Sequence, residues 1–115
     1  MNSTINDIKK LEKDWNGYDA EPIPVDICEK ADKILSKLEY IPEIFPTGRQ
    51  TIQFEYRYKD CSYLEFEIYK DHINMLYVPQ RKYENCINKS IEQDQIKLIV
   101  NNFVKTGEIN EQNIS

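Results

Sequence analysis

Between residues 51 and 78 the apolar positions recur with period two, and this commits the middle of the chain to a sheet. In residues 51–58, Ile52, Phe54, Tyr56 and Tyr58 fall on one side, with Gln53, Glu55 and Arg57 on the other. In residues 62–69, Leu64, Phe66 and Ile68 alternate with Tyr63, Glu65, Glu67 and Tyr69. A third run, residues 73–78, alternates less strictly. All three are rich in the β-branched and aromatic residues that fit a pleated surface. The breaks Lys59-Asp60-Cys61 and Lys70-Asp71 are short enough for hairpins. The reading is an antiparallel meander with one apolar face that needs a cover.

The flanking segments have the helical period and supply that cover. Thr4 with Asp7 resembles a capping box, and Ile5, Ile8, Leu11 and Trp15 recur at helical spacing up to Gly17. Pro22 and Pro24 then force an extended linker. Ile27, Ala31, Ile34, Leu35 and Leu38 form the stripe of a second helix, which must end near Tyr40 because Pro42 follows. Residues 41–48 read as an extended connector, and the polar residues 79–89 as a loop. Ser90 with Gln93 suggests the cap of a third helix carrying Ile91, Ile96, Ile99, Val100 and Phe103, ended by Gly107. The expectation is one α+β domain over residues 1–107. Its order is α-α-β-β-β-α, a three-stranded antiparallel meander covered on one face by helices. A polar tail follows over residues 108–115.

Composition removes most chemistry. At 115 residues there is room for one core. Gly17, Gly48 and Gly107 are the only glycines, so no phosphate-cradling glycine loop can be written. Cys28, Cys61 and Cys86 lie far apart and His72 is the single histidine, so neither a zinc site nor a disulfide framework is signalled. No catalytic residue, metal or cofactor is expected. Fifteen basic against twenty acidic residues, net -5, argue against direct nucleic-acid binding and favour a basic protein partner. No apolar run would span a membrane, and the start lacks a leader's basic-then-apolar pattern. The expectation is a reduced, cytoplasmic protein.

The polar side of the first hairpin is the most informative surface. If Tyr58 pairs with Ser62, Glu55 faces Glu65, Gln53 faces Glu67 and Arg57 faces Tyr63; a slip of two residues would pair Gln53 with Glu65 instead. Opposed carboxylates repel, and folding does not ask for them. Glu55, Arg57, Tyr63, Glu65, Glu67 and Tyr69 therefore form the candidate partner-binding face. The competing readings are a solvated outer face balanced by Arg57, and a metal or acid–base pair made of Glu55 and Glu65. His72 reads as a turn residue. Cys28 reads as a core residue, and Cys61 and Cys86 as exposed loop thiols. Trp15 is either a binding rim or a lock on the core's edge, with Tyr18 packed on the linker. Arg49 is either an anion binder or part of a turn.

Trp15-Asn16-Gly17-Tyr18-Asp19-Ala20-Glu21-Pro22 resembles the W-[DN]-G-Y-x-A-x-P opening of a family of small bacterial proteins. Pro42-Glu43-Ile44-Phe45-Pro46-Thr47, Ile52-Gln53-Phe54-Glu55 and Tyr63-Leu64-Glu65-Phe66-Glu67-Ile68 are similar to that family's P-x-x-F-P-T, I-Q-F-E and Y-L-E-F-E-I segments. The likeness covers roughly residues 8–78. It carries no catalytic residues. It implies an association with toxin–antitoxin or phage-defence loci. The leading expectation is a non-catalytic acidic interaction module, antitoxin-like or an inhibitor, that masks a basic surface. The alternatives are a phage-encoded nucleic-acid-mimicking inhibitor of a defence nuclease, and a small metal-dependent hydrolase using Glu55 and Glu65. A homodimer through an edge of the meander, its first or third strand, is a further possibility.

Overall fold

The hairpin residues do set the register. Tyr58 N donates to Ser62 O at 3.0 Å around Lys59-Asp60-Cys61, with Cys61 in the left-handed region at φ 71°. The computed structural model describes residues 1–110. Its strands are β1 (Glu43–Pro46), β2 (Ile52–Arg57), β3 (Tyr63–Ile68), β4 (Ile73–Val78) and β5 (Ile87–Ile91). They form one antiparallel sheet in the order β1-β2-β3-β4-β5, so every strand pairs with its neighbours in the chain. The helices are α1 (Ser3–Lys9), α2 (Val25–Leu35) and α3 (Ile96–Thr106).

The sheet has five strands, which corrects the expected three-stranded meander. β1 lies in the segment read as a connector. Prolines at 42 and 46 bracket it and hide its alternation. Ile44 nevertheless turns to the core opposite Phe54, while Phe45 turns outward opposite Gln53. A short strand ending in proline suits a sheet edge, where one row of backbone donors needs no partner. β5 lies at the end of the segment read as a loop, because Asn88, Lys89 and Ser90 are poor strand formers. Ile87 and Ile91 pair with Tyr77 and Ile73 all the same. The strands expected to be the outer ones, β2 and β4, are therefore interior. Among the described residues the edges of the sheet are β1 and β5.

The caps also differ. Asn2 Oδ1 accepts from Thr4 N at 2.8 Å and Ile5 N at 3.2 Å, so Asn2 caps α1 in place of a Thr4–Asp7 box. The helix stops at Lys9, and Leu11 and Trp15 reach the core from the turns that follow. Trp15 Nε1 donates to Glu21 O at 3.0 Å, locking the turn to the linker. Tyr18 does not pack there; it is 88% exposed. The reciprocal cap before α3 joins Glu92 and Gln95, not Ser90 and Gln93, because Ser90 belongs to β5. Gly107 ends α3 at φ 74° as expected.

All three helices lie on one side. Ile52, Phe54, Leu64, Phe66, Ile68, Ile73 and Met75 form a single cluster with Ile5 and Ile8 of α1, Ile27, Cys28 and Ala31 of α2, and Ile99, Val100 and Phe103 of α3. Phe103 sets its ring edge-on to Tyr58 and Tyr77, each with centroids 6.2 Å apart. The Tyr58 and Tyr77 hydroxyls donate to Lys105 O at 3.1 Å and Gly107 O at 2.9 Å. Among the described residues no α-helix lies on the opposite face of the sheet. Of the polar tail expected over 108–115, residues 111–115 lie outside the described residues.

Candidate functional site on the open sheet face

On the uncovered face the register places Glu55 opposite Glu65, Gln53 opposite Glu67 and Arg57 opposite Tyr63, as the first of the two sequence alternatives has it. β1 adds what the sequence did not disclose: Glu43 stands opposite Glu55. Glu43, Glu55 and Glu65 thus form one row across three strands. Leu76 and Asn88 continue it across β4 and β5. Directly opposed like charges destabilise a strand pair, and this row contains two such pairs.

Arg57 holds the row together. Its Nη1 donates to Glu43 Oε1 at 2.8 Å and its Nη2 to Glu55 Oε1 at 3.2 Å. The guanidinium carbon lies 5.3 Å from the centroid of the Tyr63 ring, a cation–π contact. Tyr63 OH donates to Glu65 Oε1 at 2.7 Å. Burial, reinforced by that bond to a carboxylate, pushes the Tyr63 hydroxyl well above its usual titration range. Among the described residues three carboxylates therefore share a single guanidinium, and the bond shown to Glu65 comes from a neutral hydroxyl.

Glu67 belongs to a separate cluster. Its carboxylate accepts from Arg49 Nε at 2.9 Å, Arg49 Nη2 at 3.1 Å, Thr51 Oγ1 at 2.7 Å and Gln53 Nε2 at 3.2 Å. Burial alone would raise its pKa; the bonds from Arg49, Thr51, Gln53 and Tyr69 outweigh it and hold the group at about 2. Thr47 and Thr51 share a hydroxyl–hydroxyl bond beneath it. Tyr69 stacks on His72 with centroids 4.3 Å apart, and His72 Nδ1 meets Asp71 Oδ1 at 2.7 Å. Arg49, weighed between anion binder and turn residue, is the buried carboxylate's partner. Glu67 and Tyr69 thus sit in a satisfied brace at one end of the face. Glu55, Arg57, Tyr63 and Glu65 occupy its middle and other end.

Beyond Arg57 the face deepens into a groove of about 650 Å³. Leu76 and Val78 form its floor, Glu55, Arg57 and Tyr63 one wall, and Arg81 and Tyr83 the other. The second wall comes from the turn after β4, which is tied to the β2–β3 hairpin at Ser62. Gln80 N donates to Ser62 Oγ at 3.1 Å, and Asp60 Oδ1 takes Ser62 N at 2.9 Å. Hydrogen bonds to Asp60 from the Ser62 hydroxyl, the Ser62 backbone N–H and the Gln80 side chain lower the Asp60 pKa. Sequence reasoning missed Glu43, Leu76, Arg81 and Tyr83. Glu43 could have been found only by recognising β1. The other three come together through long-range folding that no local pattern records.

Among the described residues no group of three or more His, Cys, Asp or Glu side chains is placed to hold a metal ion. None of the described helices is long and apolar enough to cross a membrane. The fold and site define an α+β protein with one helix-covered and one uncovered sheet face. No family model matches the chain, and neither the curated proteins nor the solved structures contain a match.

Proposed function

We propose that this chain is a non-catalytic interaction module that receives cationic side chains of a basic protein partner on the row Glu43, Glu55 and Glu65. The observation that carries this reading is the row itself. Two like-charge pairings are built side by side with one guanidinium between them, at a cost in stability that folding does not require. An incoming Arg or Lys relieves that repulsion, so the free energy held in the unbound face becomes binding energy. The net charge of -5 steers a basic surface toward it, and masking such a surface is how an antitoxin or inhibitor acts.

The test compares Glu65→Gln and the double variant Glu55→Gln/Glu65→Gln with the parent protein. Gln retains an acceptor for Tyr63 and removes the opposed charge. Glu65→Gln should raise stability by a few tenths of a kcal/mol, within the roughly 0.2–1 kcal/mol that a cross-strand pair is worth, read from urea unfolding. The same chains, tagged, are used for capture from native-host extract at low and high salt. A stoichiometric basic partner that is held at low salt, lost at high salt and lost in the double variant supports the docking role. A partner held equally by the double variant, or no partner at either salt, reduces the row to a solvated surface.

A further inference from the structure

The groove beyond Arg57 shares Glu55 and Arg57 with the carboxylate row and adds Arg81 and Tyr83 to them. Glu55, the one carboxylate in its lining, is already engaged by Arg57 at 3.2 Å, and Arg57 is engaged by Glu43 as well. Arg81 makes no ion pair among the described residues. The groove's unspent charge is therefore one guanidinium. Guanidinium forks match the planar oxygens of carboxylates and phosphates. Tyr83, a residue 73% exposed, and the half-buried Tyr63 line the same groove together with the apolar side chains of Leu76 and Val78. A volume of about 650 Å³ lies within the range of small-molecule sites.

The backbone is bent to produce this arrangement. Gln80 and Arg81 are consecutive non-glycine residues in the left-handed region, at φ 48° and 63°. That region is disfavoured for residues of an L-amino-acid chain that carry a Cβ. The turn is tied to the β2–β3 hairpin by the bond from Gln80 N to Ser62 Oγ. Residues kept in such conformations by their surroundings concentrate at ligand clamps. Here the result is that Arg81 and Tyr83 stand over the groove.

We infer that this groove binds a small organic anion with a planar ring. The anionic group sits on Arg81, and the ring lies between Tyr83 and Tyr63 on the Leu76–Val78 floor. This goes beyond protein docking on the carboxylate row, with which the groove shares Glu55 and Arg57.

Phenyl phosphate is a suitable probe, with inorganic phosphate and phenol as its two halves. Each is titrated into isotope-labelled protein followed by amide NMR. Phenyl phosphate should give saturable shifts centred on Arg57, Tyr63, Leu76, Val78 and residues 80–83. It should bind at least about tenfold more tightly than either half. Arg81→Gln should weaken it about tenfold, the scale of one charge-assisted hydrogen bond, and Tyr83→Ala should weaken it while Lys97→Gln on α3 does not. Arg81 and Tyr83 are exposed, so both variants should retain the parent spectrum elsewhere. The inference is overturned by any of four results. These are no saturable shift at millimolar probe, shifts centred outside the groove, equal affinity for inorganic phosphate, or an unchanged affinity in Arg81→Gln.

Discussion

Glu67 and Glu55 are two residues of the same type, one strand apart on the same face, with opposite consequences. Glu67 is enclosed by four donors, and its pKa falls from 4.5 to about 2. A depressed carboxylate contributes stability that is complete above its unfolded pKa and is lost as pH falls toward the folded value. The unfolding midpoint should therefore drop between pH 4.5 and pH 2 in the parent, and drop less steeply in Glu67→Gln. Equal slopes in urea titrations across that window would show that the brace does not bind a carboxylate in preference to its acid. Gly107 is the other decisive residue. It sits at φ 74°, and a Cβ there would meet Tyr58 Cδ2 at 2.5 Å. Gly107→Ala should cost at least about 1 kcal/mol from the left-handed backbone alone, with the contact to Tyr58 adding to it. A smaller loss in thermal unfolding would mean that the end of α3 can re-form elsewhere.

At the scale of elements, what could be read in the sequence follows burial. β2 and β3 are interior strands with one buried and one open side, so their alternation is complete and their register follows from one hairpin. β1 and β5 are edges. Their side chains are half-buried at most until Ile91, and their composition answers to the need to discourage further pairing. Prolines 42 and 46, and Asn88 to Ser90, look like linker residues for that reason. The carboxylate row was legible only where it crossed the two strong strands; its third member came with the strand that was missed. The groove was not legible, because it depends on Ser62 meeting Gln80, eighteen residues on. The attachment of α3 is likewise a tertiary matter. Tyr77 OH bonds Gly107 O within a buried setting. Tyr77→Phe should cost about 1 kcal/mol and speed amide hydrogen exchange in the last turn of α3 more than in β3. Uniform acceleration would indicate that α3 and the sheet open only together.

For the molecule as a whole, the three thiols report on different levels of opening. Cys28 is fully buried in the common core, and burial raises its pKa; Cys61 and Cys86 are exposed. Two equivalents of a thiol reagent should react quickly with the native protein. The third should react at a rate that follows global unfolding and rises with urea, as mass spectrometry of the labelled chain would show. Rapid labelling of all three would mean that α2 detaches from the core without the rest.

The neighbour-by-neighbour strand order has a consequence for how the chain comes into being. No strand has to wait for a distant partner, so the sheet can zip up hairpin by hairpin behind the growing chain, with little loop entropy to overcome at each step. Its apolar face is not covered on the same schedule. α1 and α2 precede the sheet and can close over part of it at once. The patch beneath Tyr58 and Tyr77 has no lid until Phe103 has been made. A nascent chain halted just before α3 would carry a finished sheet with a sticky, bare patch, and that interval is when this protein is most in need of a chaperone.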